Sequence, residues 1–150
     1  MDLAVILSQI NNFRVHSEIK DYNISDFFDA VMEKIDKLKK LNHSEKEQLL
    51  DTLFAFLNNH NPELEEDFSF IHLIESIDKP NYTIYSKKLL ENNIKRPSLT
   101  SVLLLNRYIN SLHGKAWGKA VVVVRKVVEN IKKTTFMTED TLNYCEYQIK

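Results

Sequence analysis

His72 and Glu75 stand three residues apart in the sequence. On a helix that is one turn, a spacing at which an imidazole and a carboxylate can pass a proton between them. The same pair serves equally as a local hydrogen bond on a half-buried histidine, which is the commoner use. The remaining histidines (His16, His43, His60 and His113) form no Glu-x-x-His, His-Glu-x-x-His or comparable ligand spacing, and the single Cys145 excludes a Cys-x-x-Cys pair. Cys145 has no basic neighbour and reads as a small apolar side chain of a final helix. No glycine-rich phosphate loop is present, since Gly114 and Gly118 are the only glycines. The expectation is a protein that binds rather than catalyses, with no catalytic residue, no metal ligand set and no cofactor.

The residue types that do suggest a function are carboxylates. Glu63, Glu65, Glu66 and Asp67 follow Asn61-Pro62 within a turn and a half of a helix start. Acids at a helix N-terminus complement the macrodipole, so a solvated helix end is one reading. Four of them also repel one another, and Asp51, Glu75 and Asp78 lie nearby in sequence, with the acids between Ser25 and Asp36 as further negative charge. The second reading is therefore an acidic partner-binding surface made of these seven residues.

The charge balance of the whole chain supports that reading. The total is −1, yet residues 1–78 hold sixteen acids and seven bases while residues 79–150 hold five acids and thirteen bases. Near-neutrality is thus a cancellation between a half at −9 and a half at +8. Segregated charge raises a local potential that steers an oppositely charged partner. The basic half, with Lys87-Lys88, Lys95-Arg96, Lys115, Lys119, Arg125-Lys126 and Lys132-Lys133, could contact phosphates. Against this, the chain lacks both a basic overall balance and a nucleic-acid motif, so no direct nucleic-acid contact is expected.

These groups must be positioned by helices. With 150 residues, 43% of them hydrophobic, the chain can bury a core as one domain spanning 1–150. Two glycines and three prolines are too few for the turns of an all-β fold. The fold class expected is all-α, with about seven helices arranged as hairpins. Ser25 is a candidate cap for a helix over 26–41, with Phe28, Val31, Ile35 and Leu38 on one face. Ser44 and Glu47 have capping-box spacing, before a stripe of Leu49, Leu50, Leu53, Phe54 and Leu57. Asn61-Pro62 opens the next helix, and a fourth runs over 82–95 with Ile84, Leu89, Leu90 and Ile94 inward.

Ser98 caps a fifth helix over 99–112, which Gly114 stops. The run Val121–Val124 has strand-like composition, but Trp117, Ala120, Val121, Val124, Val127, Val128 and Ile131 follow a helical period. A helix is expected there. Short helices over 3–10 and 139–148 complete the set. The caps Ser25, Asn61 and Ser98 recur at 37 residues, a period like that of HEAT and TPR repeats. Both a solenoid stack and a compact bundle fit it. The phenylalanines fall in the apolar stripes and are expected in the core, as are Tyr82 and Tyr85, whose other use would be as interface anchors.

One lone cysteine, no basic-then-apolar leader and no apolar run of about 20 residues point to a cytoplasmic protein without a membrane segment.

One segment resembles a known family. Lys95-Arg96-Pro97-Ser98 followed by Leu103-Leu104-Leu105-Asn106-Arg107-Tyr108-Ile109-Asn110 is similar to small helical immunity proteins. These are the proteins encoded beside bacterial polymorphic toxins, including those of contact-dependent growth inhibition systems. The likeness covers about thirty residues, 85–111. It implies a non-enzymatic inhibitor, a monomer that forms a 1:1 heterodimer with a cognate toxin domain, often a nuclease. An acidic face would suit the basic cleft of such a nuclease. The polar residues Asn106, Arg107 and Asn110 within the motif read as a buried polar clamp rather than as the contact surface. A helix-repeat adaptor binding another protein or peptide is the alternative function.

Overall fold

The computed structural model describes residues 2–13, 21–60, 68–112, 114–132 and 143. Seven helices and no strand occur among them: α1 (Leu3–Asn12), α2 (Asp21–Asp36), α3 (His43–His60), α4 (Phe68–Ser76), α5 (Thr83–Lys95), α6 (Leu99–Asn110) and α7 (Gly114–Lys132). The all-α class expected from the sequence is the class observed. The valine run lies inside α7, where the helical period of its apolar residues prevails over β-branched propensity. Residues 139–148, except 143, lie outside the described residues. No helix among the described residues is long and apolar enough to cross a membrane.

The helices fall in two compact units, Met1–Lys88 and Leu89–Lys150, with the boundary inside α5. In the first unit α1 packs on α3 and α2, and α2 packs on α4. Leu49, Leu50, Leu53 and Leu57 of α3 are fully buried, as are Phe70, Ile71, Leu73 and Ile74 of α4. An aromatic cluster ties the unit together. Phe28 of α2 meets Phe56 of α3 edge-on at 5.0 Å and Phe70 of α4 at 5.1 Å, while Phe13, just beyond α1, stacks on Phe27 at 4.0 Å. Edge-to-face and stacked rings use the aromatic quadrupole as well as area burial. Tyr85 is buried and stacks near Phe54 with ring centroids 6.4 Å apart, a core position.

Helix starts are where the sequence reading needs correction. α2 begins at Asp21, so Ser25 lies more than a turn inside the helix instead of capping it. The box at α3 is built from Asn42 and Glu45, two residues before the Ser44–Glu47 pair. The Glu45 amide donates to Asn42 Oδ1 at 2.9 Å, and the Asn42 amide donates to Glu45 Oε1 at 3.0 Å. Asparagine caps at least as well as serine, and its choice places Glu45 at the third helical position, where the reciprocal bond closes. With Ser25 inside its helix and Asn61 outside the described residues, Ser98 is the one cap of the 37-residue series that the structure shows.

In the second unit α6 packs against α7. Ser98 caps α6: its Oγ accepts from the Ser101 amide, and its own amide donates to Ser101 Oγ at 2.7 Å. Gly114, the first residue of α7, has φ of +63°, a backbone conformation in which a Cβ would be strained. Helix α6 itself stops earlier, at Ser111, whose amide turns back to the Ile109 and Tyr108 carbonyls.

Candidate functional site

The seven carboxylates proposed from sequence meet different surroundings. Glu63, Glu65, Glu66 and Asp67 lie outside the described residues. Asp51, on α3, is solvent-exposed and carries an ion pair, with Lys88 Nζ 2.7 Å from its Oδ1. Glu75 is half-buried on α4, and His72 of the same helix is exposed.

Asp78 is buried. Its Oδ2 accepts from the Ile84 amide at 2.7 Å and the Tyr85 amide at 3.0 Å, and Lys46 Nζ approaches its Oδ1 at 3.3 Å. These are the second and third amides of α5, which no intrahelical carbonyl can satisfy. The position that would ordinarily cap them belongs to Tyr82, whose side chain cannot. Tyr82 takes the left-handed conformation (φ 55°), and its amide donates to the Asp78 carbonyl at 2.9 Å. The turn thereby folds Asp78 back onto the helix start. The Asp78 oxygens face α5 and Lys46 rather than solvent, so this carboxylate belongs to the fold and not to an exposed acidic patch.

An acidic surface does exist in the first unit, on α2. Asp26, Asp29, Glu33 and Asp36 recur at i, i+3, i+7 and i+10 and are all exposed. At 3.6 residues per turn they form one row along the helix. Phe28 and Val31 hold the helix from its other side, in the core. None of the four carries an ion pair among the described residues. The exposed Lys37, Lys39 and Lys40 follow at the helix end. The row is legible in the sequence by the same period that marks the apolar face.

The clamp expected from Asn106, Arg107 and Asn110 is not buried. Asn106 is half-buried, and Arg107 and Asn110 are exposed. Its structural place is taken by Asn93, fully buried near the end of α5. Asn93 Nδ2 donates to the Leu89 carbonyl at 3.0 Å and to the Ser101 carbonyl at 3.0 Å, joining the last turns of α5 to the first turn of α6. Ile94, expected inward, is 48% exposed instead. The pairing satisfies both amide hydrogens of Asn93, while its buried Oδ1 meets no partner among the described residues, so the two Nδ2 bonds offset only part of the cost of burying the amide.

Among the described residues no group of three or more His, Cys, Asp or Glu side chains could hold a metal ion. The geometry on display is that of charged helix faces on an apolar core, suited to electrostatic recognition of a partner. No family model, curated protein or solved structure matches the chain.

Proposed function

We propose that this chain is a cytoplasmic immunity protein, one that binds a cognate toxin domain, a nuclease, and neutralises it through an acidic surface without catalysis. The observation that carries this reading is the α2 row of four exposed carboxylates, Asp26, Asp29, Glu33 and Asp36. A nuclease presents a basic cleft to its substrate, and a row of like charges on a rigid helix complements such a cleft while accelerating association. Glu63, Glu65, Glu66 and Asp67 extend the acidic supply of the same unit, with Glu75 as a supporting charge, whereas Asp51 is engaged by Lys88. The resemblance of 85–111 to immunity proteins points the same way. Asp78 contributes by holding α5 in place.

The test is co-expression with the product of the adjacent upstream gene, purification of the complex, and measurement of association rates. A 1:1 complex that blocks nuclease activity is the expected result. Replacing Asp26, Asp29, Glu33 and Asp36 by lysine should slow association at low salt at least tenfold, as should the same change at Glu63, Glu65, Glu66 and Asp67. Absence of any complex overturns the reading. Unchanged association in both variants removes the acidic surface from it.

A further inference from the structure

Neither charged helix face names its partner alone, but the two match each other. On α7, Lys115, Lys119 and Lys126 are exposed and fall within about 40° of the helix circumference. On α2, the exposed Asp26, Asp29, Glu33 and Asp36 fall within about 80°. None of these residues carries an ion pair among the described residues. Trp117 lies on the other side of α7, beside buried Ala120, and takes no part in this face.

The intervals agree as well as the signs. Seven residues separate Lys119 from Lys126, and seven separate Asp26 from Glu33. When two such helices lie side by side and antiparallel, Lys126 opposite Asp26 brings Lys119 opposite Glu33, about 10 Å further along. Lys115 then falls within about 2 Å of Asp36 along the axis. Asp29 faces Val122 instead, with Arg125 exposed on the adjoining side of α7. The parallel sense fits less well, because its intervals differ by a residue at every pair after the first.

We infer that the lysine face of α7 binds the acidic row of α2 on a second copy of this chain. Charge complementarity selects that occupant, since every molecule carries both rows, in register and at equal concentration. The whole-chain charge of −1 leaves little long-range repulsion between copies. Exposed ion pairs are individually weak and screened by salt, so the association belongs to low ionic strength and high protein concentration. Each copy offers a row of each sign, and contact either closes a dimer or continues as a chain. The α2 row is also the one offered to the toxin, so a tightly binding basic partner displaces the second copy.

The experiment is sedimentation equilibrium on the full chain, in a protein series up to about 1 mM, at about 20 mM and about 300 mM salt. The weight-average mass should rise at least about 1.3-fold above the monomer across the low-salt series and stay monomeric in high salt. D26K and K126E should each reduce the rise by at least about half, since each sets like charges opposite one another. D26K/K126E, whose net charge is that of the wild type, should restore it. D26K/K115E has the same net charge but exchanges residues that do not face each other, and should associate no more than D26K alone. Unchanged helical circular dichroism establishes that each variant is folded. A monomer throughout the low-salt series overturns the inference and leaves the α7 lysines to another polyanion. Association that returns in D26K/K115E, or fails to return in D26K/K126E, overturns it equally. The assay contains no toxin, so its outcome is independent of the immunity reading.

Discussion

The Asp78 carboxylate lies 2.7 Å from the amide of Ile84, six residues ahead of it in the chain. An acid so far from a helix start is not an N-cap by sequence rules, yet it performs that office for α5. The bond to Tyr85 and the approach of Lys46 complete its surroundings. Removing it leaves two helix amides without their acceptor and a half-buried ammonium without its counter-charge. Asp78→Ala should therefore lower stability by roughly 2–3 kcal/mol, read as a shift of the urea midpoint. Asp78→Asn keeps an acceptor and should cost about half as much. A double-mutant cycle with Lys46→Met isolates the share of the ion pair.

The direction of the Asn93 amide can be tested chemically. Its nitrogen faces two carbonyl oxygens, so an aspartate of nearly the same shape would set an acceptor against acceptors. Asn93→Asp should destabilise by about 3–5 kcal/mol, as an uncompensated buried charge does. Asn93→Ala, which leaves a small cavity and removes both Nδ2 hydrogen bonds, should cost roughly 2–3 kcal/mol. If aspartate were the milder change in thermal unfolding, the hydrogen-bond arrangement would be wrong.

The register of the cap at α3 separates two neighbouring residues. Asn42→Ala removes the side-chain acceptor of the Glu45 amide and should cost about 1 kcal/mol. Ser44 is exposed and makes only a long contact with Gln48, so Ser44→Ala should change stability by less than about 0.5 kcal/mol. Chemical denaturation of both variants checks the order.

The two glycines of the chain should respond with opposite signs. Gly114 has φ of +63°, whereas Gly118 is helical with open space where a Cβ would stand. Gly114→Ala should destabilise by about 1 kcal/mol, since alanine is strained in the left-handed region. Gly118→Ala should stabilise by about 0.8–1 kcal/mol through helix propensity. Melting temperatures moving in the same direction would contradict this geometry.

Much of the fold was legible because apolar side chains repeat at the helical period. The α3 stripe of Leu49, Leu50, Leu53, Phe54 and Leu57 is buried as read, and Ser98 caps α6. Cap chemistry was harder to place, since Asn42 and Ser44 both satisfy the local rule and only the tertiary path selects between them. Periodicity misled at the end of α5. Hydrophobicity favours Ile94 as the inward residue, but hydrogen bonding to Ser101 places Asn93 there. The candidate site was half legible. The exposed acids of α2 follow from spacing alone, whereas the inward fate of Asp78 depends on a turn whose left-handed Tyr82 no pattern announced.

The bridge from Asn93 to the Ser101 carbonyl also fixes how long the α5–α6 connection can be. Pro97 and Ser98 are buried beside it, so one residue inserted between Arg96 and Ser98 would swing the start of α6 out of reach of the amide. The linker at Lys39 and Lys40 is exposed and carries no such tie, and should accept added length, even an epitope tag, with little penalty. Tolerance to lengthening, more than sensitivity to substitution, should separate the α5–α6 connection from the one between α2 and α3.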